Sequence, residues 1–560
     1  MKIIDGLPPQ INPDVDVALD IEMFGQEVER LHRPHGIFAS AQVCTGEDVY
    51  ITTDQRDLPE LFKRIKDAKS WILHNATYDI AQLRRFVPIK KRFLWDTMLV
   101  EKILWGGYYG QGEFALEDLV RRYLNVVMDK GIRTQFAEQT YMTEGMKKYA
   151  ALDAYYTLKV KQVQDAEITK RGYDNYTYLN IDEPCIWSVL DMQPIRVNPK
   201  RWMEMAEDFV HKGQELENRL GINVYSSKQV KEFLLRRLGK KLKSTAAEFL
   251  EEIGDPLTED ILLARQYHKA SSTYGQKWIE RYLEEGDLVY SNWNVIGAET
   301  GRMSSSSPNL QQIPSRKIPE YRKLFMHSKG RLLVADVQAQ EPRCLAVVSG
   351  DKNLRAIFDN REDVHLIVTR AAFNDDTITK SDPRRDEVGK TINLATSYGM
   401  SAEGMAKRMH IEVKEAERFL AGYFARFNNV RNWIDRQRNV AFRQGYVTSV
   451  SGRRVWVNPY NHSWENNAIN SPIQGSAADF TKMWMNKMWE ACASNKLPFA
   501  VAMVIHDEMV LDIEKEQEAV YKELLKKTAD ETATTLFGDM PFEINMVSGI
   551  NWGCKKEEQE

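Results

Sequence analysis

The stretch LLVADVQAQEPR, residues 332 to 343, ends an apolar run at Asp336 and soon afterwards sets Glu341, Pro342 and Arg343. An acid closing a core strand needs a compensating charge or a wet cleft, because an unpaired buried carboxylate is costly. Near the C-terminus, FAVAMVIHDEMVLDI places His506, Asp507 and Glu508 between two apolar runs. That pattern predicts a hairpin with acids at its tip, although it lacks the Asn-Gly chemistry of a tight turn. HDE alone means little. Joined to Asp336, it offers carboxylates at the ends of neighbouring strands, as two-metal phosphoryl transfer requires. Pro342 suits the first turn of the following helix, where its missing N–H costs nothing. Glu341 beside it can serve that helix start electrostatically.

A second acidic constellation lies in the first quarter of the chain. In DVDVALDIEMFG, Val15, Val17, Leu19 and Ile21 alternate with Asp14, Asp16, Asp20 and Glu22, so Asp20 and Glu22 project side by side from a strand. Such a pair is common on solvated strands. WILHNATYDIAQL reads as a buried strand running into a helix that carries Asp79, and KKYAALDAYYTL puts Tyr149 and Asp153 four apart on one helix face.

The elements that must position these groups belong to a large chain. Its 560 residues exceed one core, and 43% hydrophobic with 28% charged residues is an ordinary globular balance. Neither a long apolar run nor a secretory leader is visible, so a cytoplasmic location is expected, without a membrane partner. The five cysteines lack disulfide or zinc spacing. The net charge of −4 argues against a nucleic-acid partner only if charge is spread evenly. Between Ser226 and Thr245 there are seven Lys or Arg and one acid, among them Lys240 and Lys241, on a stretch with helical spacing. A solvated face and a phosphate-tracking element explain that segment equally well.

Residues 1–165, with the motifs DIE, NATYD and YAALD, resemble the 3′-to-5′ proofreading exonuclease domain of DNA polymerases. The resemblance implies an α/β, ribonuclease H-like mixed sheet in which Asp20, Glu22, Asp79 and Asp153 hold two Mg²⁺ ions and Tyr149 positions the attacking water. Residues 166–560 resemble the polymerase region of family A DNA polymerases. TGRMSSSSPNLQQIP, GKTINLATSYGMS, QGYVTSVSGRR, NSPIQGSAAD, VIHDEMVLDI and GINW occur in that family's order. This implies an α+β right hand, with thumb at about 200–290, fingers at about 350–440 and palm in the remainder.

Roles follow from the resemblance residue by residue. Asp336 and Asp507 would bind the catalytic metals, two Mg²⁺ ions with Mn²⁺ as a substitute, with Glu508 and His506 at the primer terminus. Glu341 would be the steric gate against a ribose 2′ hydroxyl. Lys390 would hold the triphosphate, with Leu394 and Tyr398 on the same helix face. Arg302, Asn470 and Gln474 would contact the minor groove, and Lys240 and Lys241 would grip duplex phosphates. Where the family often has an arginine four before the lysine, this chain has Asp386, with Arg385 one residue further back as a candidate substitute. Asn466 replaces another frequent arginine, and Leu394 replaces an aromatic residue.

The expected activity is template-directed DNA synthesis from dNTPs with proofreading, by a monomer acting on primer-template DNA. A helicase and a single-strand binding protein are expected partners, and a chain that opens on the exonuclease suggests a phage-type enzyme in a host cytoplasm. Rival readings are a single-subunit RNA polymerase, which Glu341 opposes, and a primer-template binding protein in which only the nuclease acts.

Overall fold

The structure, a computed structural model, describes residues 1–25, 36–110, 112–129, 131–314 and 318–554. Strands β1 (Lys2–Asp5), β2 (Asp16–Phe24), β3 (Ile37–Cys44), β4 (Asp48–Thr52), β5 (Ser70–Leu73) and β6 (Leu94–Asp96) form one mixed sheet in the order β1-β4-β3-β2-β5-β6. β2 is central, antiparallel to β3 and parallel to β5. Its position decides what its alternation means. An edge strand would leave the acidic face in water, whereas here Asp20 and Glu22 are half-buried and Val17, Leu19 and Ile21 enter the core.

Helices α1 (Ala76–Leu83), α2 (Thr97–Trp105) and α3 (Glu144–Arg171) pack around this sheet, with α3 against β2 and β3. The Thr143 hydroxyl accepts from the Met146 amide at its start and Gly172, at φ 57°, ends it. The helix therefore runs through residue 165, where the sequence suggested a division.

The next unit is helical. Helices α4 (Pro199–Leu220), α5 (Ser227–Leu238) and α6 (Pro256–Thr273) enclose a small core of their own that includes Val230, Phe233, Leu234 and Ile261. Ser226 caps α5 through the Gln229 amide, and Gly239, at φ 64°, ends it. Lys240 and Lys241 accordingly stand on an exposed loop beyond the helix.

Strands β7 (Arg331–Val337), β8 (Val501–Ile505), β9 (Glu508–Ile513) and β10 (Ile544–Gly549) make an antiparallel sheet in the order β8-β9-β7-β10. Helices α7 (Gln340–Ser349), α8 (Lys390–Ser397) and α9 (Trp464–Ser494) pack on one another, with α9 chiefly against α7. Within α9, Phe480, Trp484 and Met485 are fully buried.

An ionic network joins Asp182 and Arg453 to Asp479 and Lys482 of α9. The Arg453 guanidinium reaches Asp479 at 2.7 Å and Asp182 at 2.8 Å, and Lys482 pairs with Asp182. All four side chains are at most 2% exposed. Their charges balance, and removing one would leave a buried charge unpaired at a cost of about 3–5 kcal/mol. Among the described residues no helix is long and apolar enough to cross a membrane.

Candidate active sites

Asp336 is the penultimate residue of β7 and faces Glu508, the first residue of β9, across the antiparallel ladder. His506 and Asp507 alone connect β8 to β9. His506 adopts φ 60°, a left-handed conformation uncommon outside glycine that concentrates at functional turns. The Asp507 carbonyl accepts from the Val337 amide at 3.2 Å, which draws the turn onto the end of β7. Burial pushes the Asp336 carboxyl up to about 7, and repulsion from Asp507 and Glu508 adds to the shift. Burial also raises Asp507 and Glu508, opposed at Glu508 by the Trp552 indole, which donates to Oε1 at 2.6 Å. This edge of the sheet disfavours three carboxylates unless a cation accompanies them.

Around that edge the sequence-predicted residues fall into pairs. Arg302 donates to Glu341 Oε1 at 2.6 Å, and Glu341 is the second residue of α7, which Ala339 precedes at φ 49°. Asn470 and Gln474 lie four apart on α9. Gln474 Nε2 donates to the Tyr398 hydroxyl at 3.1 Å, and Asn470 Oδ1 is buried without a partner. Leu394 and Tyr398 are half-buried and Lys390 is exposed.

The approach to Lys390 departs from the regular helix that the spacing suggests. Arg385–Gly389 is a π-helical turn whose first carbonyl accepts from the Lys390 amide. The rotation of about 100° per residue that separated Arg385 from the Asp386 position holds for an α-helix and not here. Arg385 is committed to carboxylates: it donates to Asp363 Oδ2 at 2.6 and 2.8 Å and to Asp386 at 2.5 Å. Asp386 in turn pairs with Lys390 at 2.9 Å.

The other constellation assembles on the first sheet. Asp20 and Glu22 project from β2, Asp79 from α1, and Tyr149 and Asp153 from α3. Burial raises all four carboxyls above their ordinary range, and the acids raise one another: Glu22 feels Asp20 and Asp153, while Asp79 feels Asp20, Asp96 and Glu22. Arg133 opposes the shift at Asp20, Glu22 and Asp153, and the Tyr149 hydroxyl opposes it at Asp153. Asp153 Oδ1 is buried with no partner.

Both donor sets consist of hard carboxylate oxygens, which suit Mg²⁺ or Mn²⁺. Among the described residues no group of three or more His, Cys, Asp or Glu side chains is arranged to hold a metal ion by itself. The fit is therefore to a cation held by one or two carboxylates and otherwise by water and phosphate oxygens, the usual habit of Mg²⁺. An all-protein cage does not fit.

Three supporting roles escaped the sequence reading. Asp96 caps α2 by accepting from the Met98 and Leu99 amides, and it also accepts from the amides of Asn75 and Ala76 at the start of α1, which carries Asp79. An acid at a strand–helix junction is a recognisable N-cap signal, but its second helix is not legible. Arg343 is buried and donates to the carbonyls of Gln338 at 2.7 Å and of Pro541, bracing the turn after Asp336. Trp552 steadies Glu508 from far along the chain.

A paired-acid antiparallel sheet flanked by helical units, joined to an α/β sheet with four gathered acids, defines a right-hand polymerase fold coupled to a nuclease-type unit. Residues 199–554 match the model of DNA polymerase family A, and residues 10–165 match that of the 3′-5′ exonuclease. The chain belongs to DNA polymerase family A.

DNA polymerase I of Chloroflexus aurantiacus is 30% identical over 524 residues, covering 86% of this chain and 54% of that protein. The thermostable DNA polymerase I of Thermus filiformis is 34% identical over 328 residues, covering 56% and 39%. The chain thus spans about half the length, or less, of these relatives. The POL domain of Pol1 from M. smegmatis, solved in complex with DNA primer-template and dNTP, superposes with a TM-score of 0.82 at 23% identity, covering 98% of this chain and 99% of that one. That likeness is one of fold.

Proposed function

We propose that this chain extends primers on a DNA template from dNTPs and removes mispaired 3′ ends at a separate site, using divalent cations at both. The observation that carries the reading is Asp336 facing Glu508 with Asp507 in the adjoining turn. The nuclease unit runs to the end of α3, and the hand follows it, with thumb, fingers and palm at the bounds expected from the sequence.

Bound Mg²⁺ would lower the pKa of the attacking oxygen and neutralise charge on the phosphates. Asp336 and Asp507 would hold it in the palm, with Glu508 and His506 beside the primer end. Lys390 presents its ammonium to the triphosphate, and Leu394 and Tyr398 line the same helix face. The Glu341 stem excludes a ribose 2′ hydroxyl while Arg302 holds its carboxylate aside. Arg302, Asn470 and Gln474 address the minor-groove acceptors that every correct pair presents. In the nuclease unit, Asp20, Glu22, Asp79 and Asp153 would hold the cations, and Tyr149 orients the water that attacks the terminal phosphodiester.

The test is extension of matched and mismatched primers by the wild type, Asp507→Asn and the double variant Asp20→Ala, Glu22→Ala. Asp507→Asn should lose synthesis by about 10³-fold or more, several kcal/mol of transition-state stabilisation, and keep mismatch removal. The double variant should do the reverse. Duplex binding by the wild type without any extension in Mg²⁺ would leave only the nuclease.

A further inference from the structure

Arg302 is carried by a tight loop, and the loop rests on the buried ionic network. The amides of Gly297 and Ala298 donate to the Arg302 carbonyl at 2.8 and 3.2 Å, and the Gly301 amide donates to Ala298 at 2.9 Å. Gly301 adopts φ 85°, and a Cβ there would stand 2.5 Å from Arg453 Nε and 2.7 Å from its Cζ. The glycine is needed twice over, for its conformation and for direct contact with the guanidinium. Gly475 packs beside the same loop, since a Cβ there would lie 3.4 Å from the Thr300 carbonyl and 3.2 Å from Ser449 Cβ. Ser449 and Ser451 both donate to Asp479 Oδ2, at 2.8 and 2.5 Å, while Asp479 Oδ1 accepts from Arg453 Nε at 2.8 Å.

We propose that Arg453 is a positioning residue for sugar selection: held in plane by Asp479 and Asp182, its guanidinium forms the floor under Gly301 and so sets the reach of Arg302 to Glu341. A planar fork pinned by two carboxylates makes a flat, rigid surface. A lysine at 453 would keep the charge and lose the plane. The neighbouring side chain, Arg302, is the one that engages Glu341 at 2.6 Å. The effect passes from a fully buried group to the gate through one glycine. This inference rests on the polymerase reading for its consequence, although not for its geometry.

The experiment compares the wild type, Arg453→Lys, Gly301→Ala, Arg302→Ala and the two double variants with Arg302→Ala. For each, kcat/KM is measured for a dNTP and for the matching rNTP on one primer-template, with single-strand degradation as a check of folding. Arg453→Lys and Gly301→Ala should each reduce deoxy-over-ribo selectivity by about tenfold to a hundredfold, as expected for a reacting group misplaced by about 1 Å. Neither should reduce it further once Arg302 is alanine. Unchanged selectivity, or an equal loss in the Arg302→Ala background, would overturn the proposal. Should Arg453→Lys fail to fold, Gly301→Ala still decides, because it removes none of the four buried charges. A crystal structure of Gly301→Ala gives a readout without turnover: the Arg302–Glu341 hydrogen bond should be lost, and its retention would overturn the proposal. A wild type that cannot extend primers would defeat the polymerase reading alone, and that structure would still judge the seat of the loop.

Discussion

Asp386 Oδ1 accepts from both Lys390, at 2.9 Å, and Arg385, at 2.5 Å. The carboxylate thus occupies two cations, and on the proposed reading, in which Lys390 meets the triphosphate, it competes with the nucleotide for them. Partly exposed pairs of this kind hold weakly, within a factor of about five. Asp386→Ala is therefore expected to lower KM for dNTPs up to about fivefold with kcat little changed. Steady-state single-nucleotide insertion measures this, and a raised KM would show that Asp386 orders Lys390 productively.

Leu394 stands one helical turn beyond Lys390 and one before Tyr398 on the same face. Its side chain offers no hydrogen bond to a nucleotide sugar, whereas a tyrosine would supply one, worth about 3–10-fold. Leu394→Tyr should raise dideoxynucleotide incorporation by that order. Termination ladders of equal intensity from both proteins would refute the expectation.

Lys240 and Lys241 lie on the exposed loop that follows the Gly239 cap. Each phosphate they neutralise contributes about 0.9 to the slope of log affinity against log salt. Replacing both by alanine should flatten that slope by about 1.8 and weaken duplex binding regardless of sequence. Fluorescence anisotropy across a salt series tests it, and an unchanged slope would take this loop off the DNA path.

Two half-buried imidazoles give the fold an acid limit. Burial lowers His74 and His365 to about 4, and their Nδ1 atoms lie 2.9 Å from the Thr97 hydroxyl and the Asn393 amide. Because the unfolded chain binds their protons more readily, their contribution is complete above pH 6.5 and is lost as pH falls towards 4. The slope is at most about 1.4 kcal/mol per pH unit for each residue. Urea midpoints should fall between pH 7 and pH 5, and His365→Gln should flatten the fall. An equally steep loss in that variant would place the acid sensitivity elsewhere.

Much of both candidate sites was legible because the signals are local. Alternation in DVALDIEMF placed Asp20 and Glu22 side by side, apolar runs around HDE announced the β8–β9 hairpin, and Pro342 marked the start of α7, since period and turn chemistry act over a few residues. The motifs in order brought the family resemblance. Distances along the chain, the residue types and their periodicity therefore decided which acids could act and on what kind of element.

What the chain does with them was decided in three dimensions. Only sheet order makes β2 central, so that its acids are buried among one another instead of solvated, and only the β7–β9 register sets Asp336 opposite Glu508. Asp96 serving two helices, Trp552 holding Glu508, the π turn before Lys390 and Arg453 beneath Gly301 join residues whose partners lie far apart in sequence. Local periodicity carries no information about which distant group supplies a charge, a donor or a surface, because those pairings follow from packing the whole chain into close contact.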